Sequence, residues 1–214
     1  MDQNGLICPK CEKKLRPIGE PRCKKCGKSI DYEEDELCID CQRREHEFDE
    51  GRGIFLYDRK MRKSILKFKD GGRREYGDFY GKAMVYYGKN ELIRWNPQAV
   101  LAVPVHRKKM RMRGFNQAEY IARIVAKEQK IPYLEGYMQK TVFTPSQKNL
   151  SASGRRRNLK DSFSGKNGDW GVQRILIIDD VYTTGSTMDA VSYQARLHGV
   201  KKIYFLTVCA GKGN

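Results

Sequence analysis

Short runs of consecutive apolar residues alternate along the chain with longer stretches in which apolar residues recur at helical spacing. Three such runs indicate buried strands, at Ala99 to Val105, Arg174 to Asp179 and Lys202 to Cys209. Helical spacing follows the first two, from Asn116 to Lys130 and from Ser186 to His198. Strands that alternate with helices predict an α/β domain with a mostly parallel sheet and ligands at its carboxyl edge.

The preceding residues divide into two parts. Gly53 to Tyr57 predicts a short strand, and helical spacing follows from Met61 to Phe68 and from Arg73 to Tyr87. Residues 1 to 50 contain few large apolar side chains and six of the seven cysteines. We therefore expect a cysteine-rich module at residues 1–50 and an α/β domain at residues 51–214.

The cysteines of the module form three Cys-x-x-Cys pairs, each of which begins 15 residues after the previous one. Two such pairs supply four thiolates, the usual ligand set of a structural zinc ion, and the metal would replace the missing apolar core. A redox role is the weaker interpretation, because a redox Cys-x-x-Cys usually stands alone on a thioredoxin-like unit. The favoured ligands are Cys23, Cys26, Cys38 and Cys41, with Cys8 and Cys11 as alternative ligands.

The net charge and the expected location of the chain indicate which partners it could bind. The net charge is +16, and residues 1–50 hold 10 basic and 13 acidic side chains, so the excess of positive charge lies beyond them. A positive surface favours phosphate-bearing partners. The sequence shows neither a signal peptide nor an apolar segment long enough to span a membrane, and a cytoplasmic location is expected.

The segment from Ile175 to Thr187 joins a buried strand to a helix through two acids and a Thr-Thr-Gly-Ser-Thr turn. Small hydroxyl side chains and a glycine at a helix N-terminus suit a phosphate dianion. Asp179 and Asp180 could then accept hydrogen bonds from ribose hydroxyls. The predicted phosphate ligands are Thr183, Thr184, Gly185, Ser186 and Thr187.

This segment resembles the phosphoribosyl pyrophosphate signature of type I phosphoribosyltransferases. Within that superfamily the chain resembles the ComF family, through Lys67-Phe68-Lys69, Val103-Pro104-Val105, the run from Arg113 to Ala118, and Gln147 with Arg155 and Asn158. The resemblance implies a type I phosphoribosyltransferase fold, with a mostly parallel sheet flanked by helices, behind an N-terminal four-cysteine zinc module.

The resemblance also implies roles for further residues. Val103 to Arg107 would form the pyrophosphate loop, with Val105, Arg107, Lys108 and Lys109 as ligand contacts. Gln147, Lys148 and Arg155 would belong to a flexible loop that closes over the ligand. Catalytic roles would fall to Asp179, Asp180 and Arg107, and Mg²⁺ would accompany the diphosphate. Candidate DNA contacts are Lys108, Lys109, Arg111, Arg113, Arg156 and Arg157.

For function, the resemblance implies that the chain binds phosphoribosyl pyrophosphate and assists internalised single-stranded DNA in natural competence, together with proteins of the competence machinery. If it turns over its ligand, it would be a glycosyltransferase of the phosphoribosyltransferase class. Two alternatives remain open: a phosphoribosyltransferase of nucleobase salvage, and a non-catalytic, zinc-stabilised adaptor.

Overall fold

The computed structural model describes residues 7–32, 34–141 and 162–213. Its helices are α1 (Pro9–Glu12), α2 (Ile39–Arg43), α3 (Arg59–Asp70), α4 (Glu75–Tyr87), α5 (Lys89–Trp95), α6 (Arg107–Arg113), α7 (Gln117–Gln129) and α8 (Ser186–Leu197). Its strands are β1 (Glu50–Leu56), β2 (Ala99–Ala102), β3 (Met138–Lys140), β4 (Phe163–Gly165), β5 (Arg174–Tyr182) and β6 (Lys202–Ala210).

Four strands form one parallel sheet in the order β1-β6-β5-β2. The two central strands, β5 and β6, are each nine residues long and mostly buried, as expected of strands with neighbours on both sides. The mostly parallel sheet flanked by helices is therefore confirmed. Strands β3 and β4 form a separate antiparallel pair, which the sequence pattern did not predict.

Helices α4 and α7 cover the sheet and contact each other. Helix α4 packs on β1 and β6, and α7 packs on β2 and β5. Their close approach requires a glycine, because a Cβ at Gly81 would lie 2.6 Å from Cγ2 of Ile124. The aromatic stripe of α4 is a core feature, with Phe79 and Tyr80 buried.

The ends of several elements follow local capping. The Asp58 carboxylate accepts hydrogen bonds from the amides of Lys60 and Met61 at the start of α3, and the Asn116 side chain caps α7.

The sequence pattern missed α5, which begins directly after Gly88. It also extended β2 too far, since the strand ends at Ala102 and the chain then turns toward α6.

The cysteine-rich module packs directly against the sheet. Backbone hydrogen bonds join Ile18 to Ile54 and Leu56 to Arg16, so that residues 16–18 run beside β1. A buried carboxylate, Glu91 on α5, accepts hydrogen bonds at 2.6 Å from both Arg22 and Arg52. The module and the sheet therefore share hydrogen bonds and ion pairs along the β1 edge.

Aromatic side chains complete this interface. Phe48 lies fully buried between the module and the sheet, with its ring centroid 4.8 Å from that of Phe205 on β6. Tyr182 at the end of β5 stacks on Phe205 at 4.8 Å and meets the edge of Phe48 at 6.2 Å. Part of the sheet's core is thus supplied by a residue that precedes β1.

Candidate functional site

A polar cavity of about 230 Å³ opens at the carboxyl ends of β2 and β5. This is the sheet edge at which the sequence predicted a ligand. Its lining combines the end of β5, the segment after β2, and single residues of α3, β3 and α8. The lining residues are Lys69, Val103, Pro104, Val105, His106, Lys109, Arg113, Asn116, Gln117, Ala118, Lys140, Asp179, Asp180 and Thr187.

The turn between β5 and α8 has the geometry expected of an anion cradle. Gly185 adopts a left-handed conformation (φ 78°) immediately before the first residue of α8, and no side chain caps that helix. The first amides of a helix lack intrahelical acceptors and attract anions. Thr183 and Thr184 are exposed, while Ser186 and Thr187 are half-buried. The turn can therefore present both hydroxyl and amide donors to a ligand.

The two adjacent carboxylates have different environments. Asp180 is buried, and its Oδ2 lies 2.6 Å from the ammonium nitrogen of Lys69 on α3. Asp179 forms no ion pair with any residue that the structure describes, and its Oδ1 accepts the Asp180 amide at 2.8 Å. Burial, reinforced by the charge of Asp180, raises the pKa of Asp179 to about 7. Asp180 is therefore held by a cation, whereas Asp179 remains available to a ligand.

Four cationic side chains line the same cavity: Lys69, Lys109, Arg113 and Lys140. Burial alone would lower the pKa of Lys69, but the charges of Asp180 and Asp179 raise it above its usual range. Burial lowers the pKa of Lys140, and the charge of Lys109 lowers it further. Among the described residues neither Lys109 nor Lys140 forms an ion pair with a carboxylate, and two such neighbouring cations suit an anionic ligand such as a diphosphate.

The basic segment that follows the predicted pyrophosphate loop, Val103 to Arg107, forms a helix that begins at the last residue of that loop. Helix α6 (Arg107–Arg113) is capped by His106, whose side chain accepts the Lys108 amide, and ends at Gly114. Of its predicted ligand contacts, Lys109 lines the cavity, whereas Arg107 and Lys108 are exposed and do not appear in its lining. Helical geometry explains this difference, because successive side chains point about 100° apart around the axis.

The predicted DNA contacts on α6 differ in their exposure and in where their side chains point. Lys108 and Arg111 are exposed. Arg113 instead turns toward the cavity, where its Nε donates to Asp70 at 3.0 Å and its Nη1 donates to Gln117 at 3.2 Å. Arg156 and Arg157, together with the loop residues Gln147, Lys148 and Arg155, lie outside the described residues.

The structure adds site residues that the sequence did not single out. Lys69 was noted for its resemblance to the family, but its ion pair with Asp180 depends on the packing of α3 beside β5. Lys140 ends a three-residue strand that carries no sequence signal. Residues brought together by separate elements leave no local spacing pattern, so only the fold could reveal them.

A second candidate site lies in the module, where the four favoured cysteines meet. Their sulfur atoms all lie within 4.8 Å of one another, and Sγ of Cys26 is 3.6 Å from Sγ of Cys38. A tetrahedral zinc ion with Zn–S bonds of about 2.3 Å separates its sulfurs by about 3.8 Å. The Cys23 thiol raises the pKa of both Cys26 and Cys41, since packed thiols cannot all be ionised without a cation. The four-sulfur cluster thus fits zinc.

Cys8 and Cys11 do not join this cluster. Both are exposed, at the start of α1. Among the described residues, the cluster of Cys23, Cys26, Cys38 and Cys41 is the one group of three or more side chains placed to hold a metal ion. Within the part of the chain that the structure describes, the cavity at the ends of β2 and β5 is lined by two carboxyl groups, those of Asp179 and Asp180, so a Mg²⁺ ion there would need further oxygen ligands from a bound molecule.

Within the described part of the chain, every helix is too short or too polar to cross a membrane.

Comparisons with known proteins relate both parts of the chain to others. Residues 1–42 match a family model described as the double zinc ribbon domain, which together with the four-sulfur cluster supports a structural zinc site. Competence protein F of Haemophilus influenzae is 30% identical over 208 residues, which cover 94% of this chain and 88% of that protein.

A second relative and one solved structure are also similar. Competence protein ComFC of Streptococcus pneumoniae is 28% identical over 205 residues, which cover 94% of this chain and 86% of that protein. The crystal structure of a purine phosphoribosyltransferase from Pyrococcus horikoshii has a TM-score of 0.36 and 16% identity, over 61% of this chain and 72% of its own.

Proposed function

Because the chain belongs to the ComF family, we propose that it binds phosphoribosyl pyrophosphate with Mg²⁺ and handles internalised single-stranded DNA during natural transformation. The relative from H. influenzae covers nearly the whole chain and confirms the resemblance that the sequence predicted. The observation that carries the ligand proposal is the cavity itself, whose lining brings the Asp179 carboxyl group together with Thr187 of α8 and four cationic side chains.

Each part of the ligand has matching groups in the cavity or beside it. The turn from Thr183 to Thr187, of which Thr187 lines the cavity, would receive the 5-phosphate through the first amides of α8. Asp179 would accept hydrogen bonds from the ribose hydroxyls, since its carboxylate has no cation partner among the described residues. Lys109 and Lys140 would face the diphosphate, whose oxygens would also hold Mg²⁺.

Asp180 acts differently from its neighbour in this proposal. Its carboxylate is paired with Lys69, so it would fix that ammonium group at the cavity wall and contact the ribose only secondarily. The pair would also keep a buried negative charge compensated beside Asp179. Both acids thus contribute to the site, Asp179 by contact and Asp180 through Lys69.

Binding is the core of the proposal, and transfer of the phosphoribosyl group would be an addition to it. In such a transfer the bond from C1 to the diphosphate oxygen breaks with its electron pair, and a bond from a nitrogen nucleophile to C1 forms. The described residues of the cavity would orient the sugar and stabilise the departing diphosphate, as positioning and charge require. The acceptor would bring its own nucleophile.

Single-stranded DNA would meet the exposed basic side of α6. Lys108 and Arg111 are exposed there, and Met112 on the same helix is 85% exposed. Backbone phosphates favour such a cationic surface. Because α6 also contributes Lys109 and Arg113 to the cavity, a bound strand would lie next to the ligand.

The ligand proposal is tested by titration calorimetry of phosphoribosyl pyrophosphate with Mg²⁺. Asp179→Asn should weaken affinity about 10- to 100-fold, because charge-assisted hydrogen bonds to the ribose are lost. Glu128→Gln, an exposed acid on α7, is the matched control and should bind as the unmodified chain does. Equal affinity in Asp179→Asn would refute the site assignment, and pyrophosphate release with a free nucleobase would favour the salvage alternative.

The DNA proposal is tested by fluorescence anisotropy with a labelled oligothymidylate over a range of salt concentrations. Removing two phosphate contacts in Lys108→Ala/Arg111→Ala should reduce the slope of log K against log salt by about 1.4. Lys127→Ala, which removes an exposed lysine of α7, should leave the slope unchanged. An oligonucleotide that does not bind at low salt would leave the adaptor alternative as the better account.

A further inference from the structure

The segment of residues 44–47, near the end of the cysteine-rich module, packs against the turn from Thr183 to Thr187, the phosphate turn of the proposed site. A Cβ at Gly185 would lie 2.6 Å from the hydroxyl oxygen of Tyr182, 3.0 Å from Nη2 of Arg44 and 3.0 Å from Cε1 of His46. A separation below 3.0 Å leaves no room for a side chain. The backbone of the turn is therefore packed against two residues of the segment, Arg44 and His46.

The same segment also contacts Asp189 in the first turn of α8. Nδ1 of His46 lies 2.9 Å from one oxygen of the Asp189 carboxylate and 3.1 Å from the other, and the Glu47 amide donates to the first at 3.2 Å. Nη2 of Arg44 lies 3.8 Å from the second oxygen. Since a carboxylate only accepts, Nδ1 of His46 is the donor. Asp189 thus ties α8 to the segment through three groups.

The contacts are buried, and several polar atoms around them lack hydrogen-bond partners. The His46 side chain is 0% exposed. Among the described residues no hydrogen-bond partner is found for Nε2 of His46, for Nε and Nη2 of Arg44, or for the Tyr182 hydroxyl. Burying such groups is unfavourable by itself, so the rest of the fold must hold the segment in place.

The four-sulfur cluster provides that support. Cys38 immediately precedes helix α2, Cys41 lies within it, and Arg44 immediately follows it. A second connection runs through Lys28, whose ammonium group donates to Asp40 of α2 at 2.7 Å and lies 5.6 Å from the centre of the Tyr182 ring. Both connections lead from the cysteine cluster to the residues that contact Gly185.

We propose that Arg44 and His46 are positioning residues of the phosphate turn, which makes the cysteine-rich module a working part of the ligand site. They act through Asp189 and Gly185, fixing the start of α8 so that its first amides face a phosphate monoester. This inference rests on the proposed function, because it assigns the turn to the 5-phosphate. It goes beyond a purely structural role for the metal-binding module.

The test compares two ligands of the same cavity in the zinc-loaded, full-length chain. His46→Ala should weaken binding of ribose 5-phosphate about 10-fold, since one charge-assisted hydrogen bond that orients the turn is lost. Binding of Mg²⁺-pyrophosphate, which would contact Lys109 and Lys140, should change by less than about 2-fold. A general loss of structure would weaken both ligands alike, so the split between them identifies positioning.

Three further variants sharpen the test. His46→Asn keeps a donor near the position of Nδ1 and should restore most of the affinity for ribose 5-phosphate. Arg43→Ala removes an exposed arginine one residue before Arg44 and should have no effect. In Asp189→Asn the affinity should fall at least as far as in His46→Ala, and the double variant should bind no more weakly than Asp189→Asn, because that change already removes the contact to His46.

The outcomes separate this inference from the proposed function. If the unmodified chain binds neither ribose 5-phosphate nor phosphoribosyl pyrophosphate, the proposed function fails and the inference fails with it. If the unmodified chain binds and His46→Ala and Asp189→Asn bind equally well, only the inference is overturned. Should His46→Ala lose its zinc, Asp189→Asn decides the matter, because Asp189 lies outside the module.

Discussion

The cysteine-rich module and the parallel sheet are held together by different forces. The sheet is stabilised by apolar burial, and Ile175 to Ile178 on its central strand β5 are all inaccessible to solvent. The module has few such residues, and the buried centre around which its chain folds is the cluster of Cys23, Cys26, Cys38 and Cys41. A metal ion would contribute to the module what apolar packing contributes to the sheet.

The cysteine-rich module and the parallel sheet are not independent of each other. Phe48 of the module side packs on Phe205 of the sheet, and Glu91 of α5, which also accepts from Arg52 of β1, accepts a hydrogen bond from Arg22 across the boundary. The division at residues 50 and 51 remains a proposal about chain organisation. We expect the two regions to unfold together, because their shared core cannot stay buried when either one opens.

The largest effect is expected from Cys26→Ser. Loss of one of four zinc ligands should abolish stable metal binding and remove most of the free energy that holds the module, which is on the order of 10 kcal/mol in small zinc domains. Zinc content by a colorimetric chelator and thermal unfolding by circular dichroism would measure both. Cys11→Ser is the matched control, because the Cys11 thiol is exposed and lies outside the cluster. If the two variants behave alike, the ligand assignment is wrong.

The next effect should come from the shared aromatic core. Phe48→Ala should lower the free energy of unfolding by about 3–5 kcal/mol, since a fully buried ring is removed from between His46 and Phe205. Urea unfolding followed by fluorescence and by circular dichroism should still show one transition. Tyr32→Ala, at a module residue that is 68% exposed, should cost little. Two separate transitions in the unmodified chain would instead show that the module folds alone.

Sequence reasoning succeeded where chemistry is local. The spacing of the cysteines predicted the four-sulfur cluster, and the acids and threonines from Asp179 to Thr187 predicted a strand, a turn and a helix in the right order. Each of these two signals is carried by residues that lie close together in the sequence, and local geometry is enough to interpret it.

Sequence reasoning could not distinguish residues whose environment depends on elements that are distant in the chain. Asp179 and Asp180 are equivalent in the sequence, yet only Asp180 meets Lys69, which is more than a hundred positions earlier in the chain. Arg111 and Arg113 are equivalent as predicted DNA contacts, yet helix α6 directs Arg113 to Asp70 and the cavity while Arg111 is exposed. His46 gave no signal, because its partner Asp189 comes from another part of the fold.

A smaller effect should follow from the polar part of the interface. In Glu91→Gln the buried guanidinium groups of Arg22 and Arg52 lose their common counter-charge, and the free energy of unfolding should fall by about 2–3 kcal/mol. Partial exposure of Arg22 limits the loss. Chemical denaturation would measure it, with Glu128→Gln as the control at an exposed site. An unchanged stability would mean that the ion pairs do not hold the module to the sheet.

The effect that is smallest at each step of its measurement, one pH unit, concerns the buried carboxyl group of Asp179 at the sheet edge. Burial and the charge of Asp180 raise the pKa of Asp179 to about 7, while Lys69 and Lys140 oppose this shift. Between the ordinary carboxyl pKa near 4 and this value, the folded chain keeps a proton that the unfolded chain has released. The free energy of unfolding should therefore fall as pH rises through this window, by at most about 1.4 kcal/mol per pH unit.

Asp179→Asn removes this dependence and isolates it from the other titrating groups. Urea unfolding at pH 5, 6, 7 and 8 should show a gap between the two proteins that changes in favour of the variant as pH rises and becomes constant above about pH 7. Glu128→Gln, whose replaced side chain is exposed, should follow the unmodified chain throughout. Parallel curves for Asp179→Asn and the unmodified chain would mean that Asp179 is ionised in the folded state across the whole range, and that the sheet edge compensates this charge as fully as a metal would compensate the thiols.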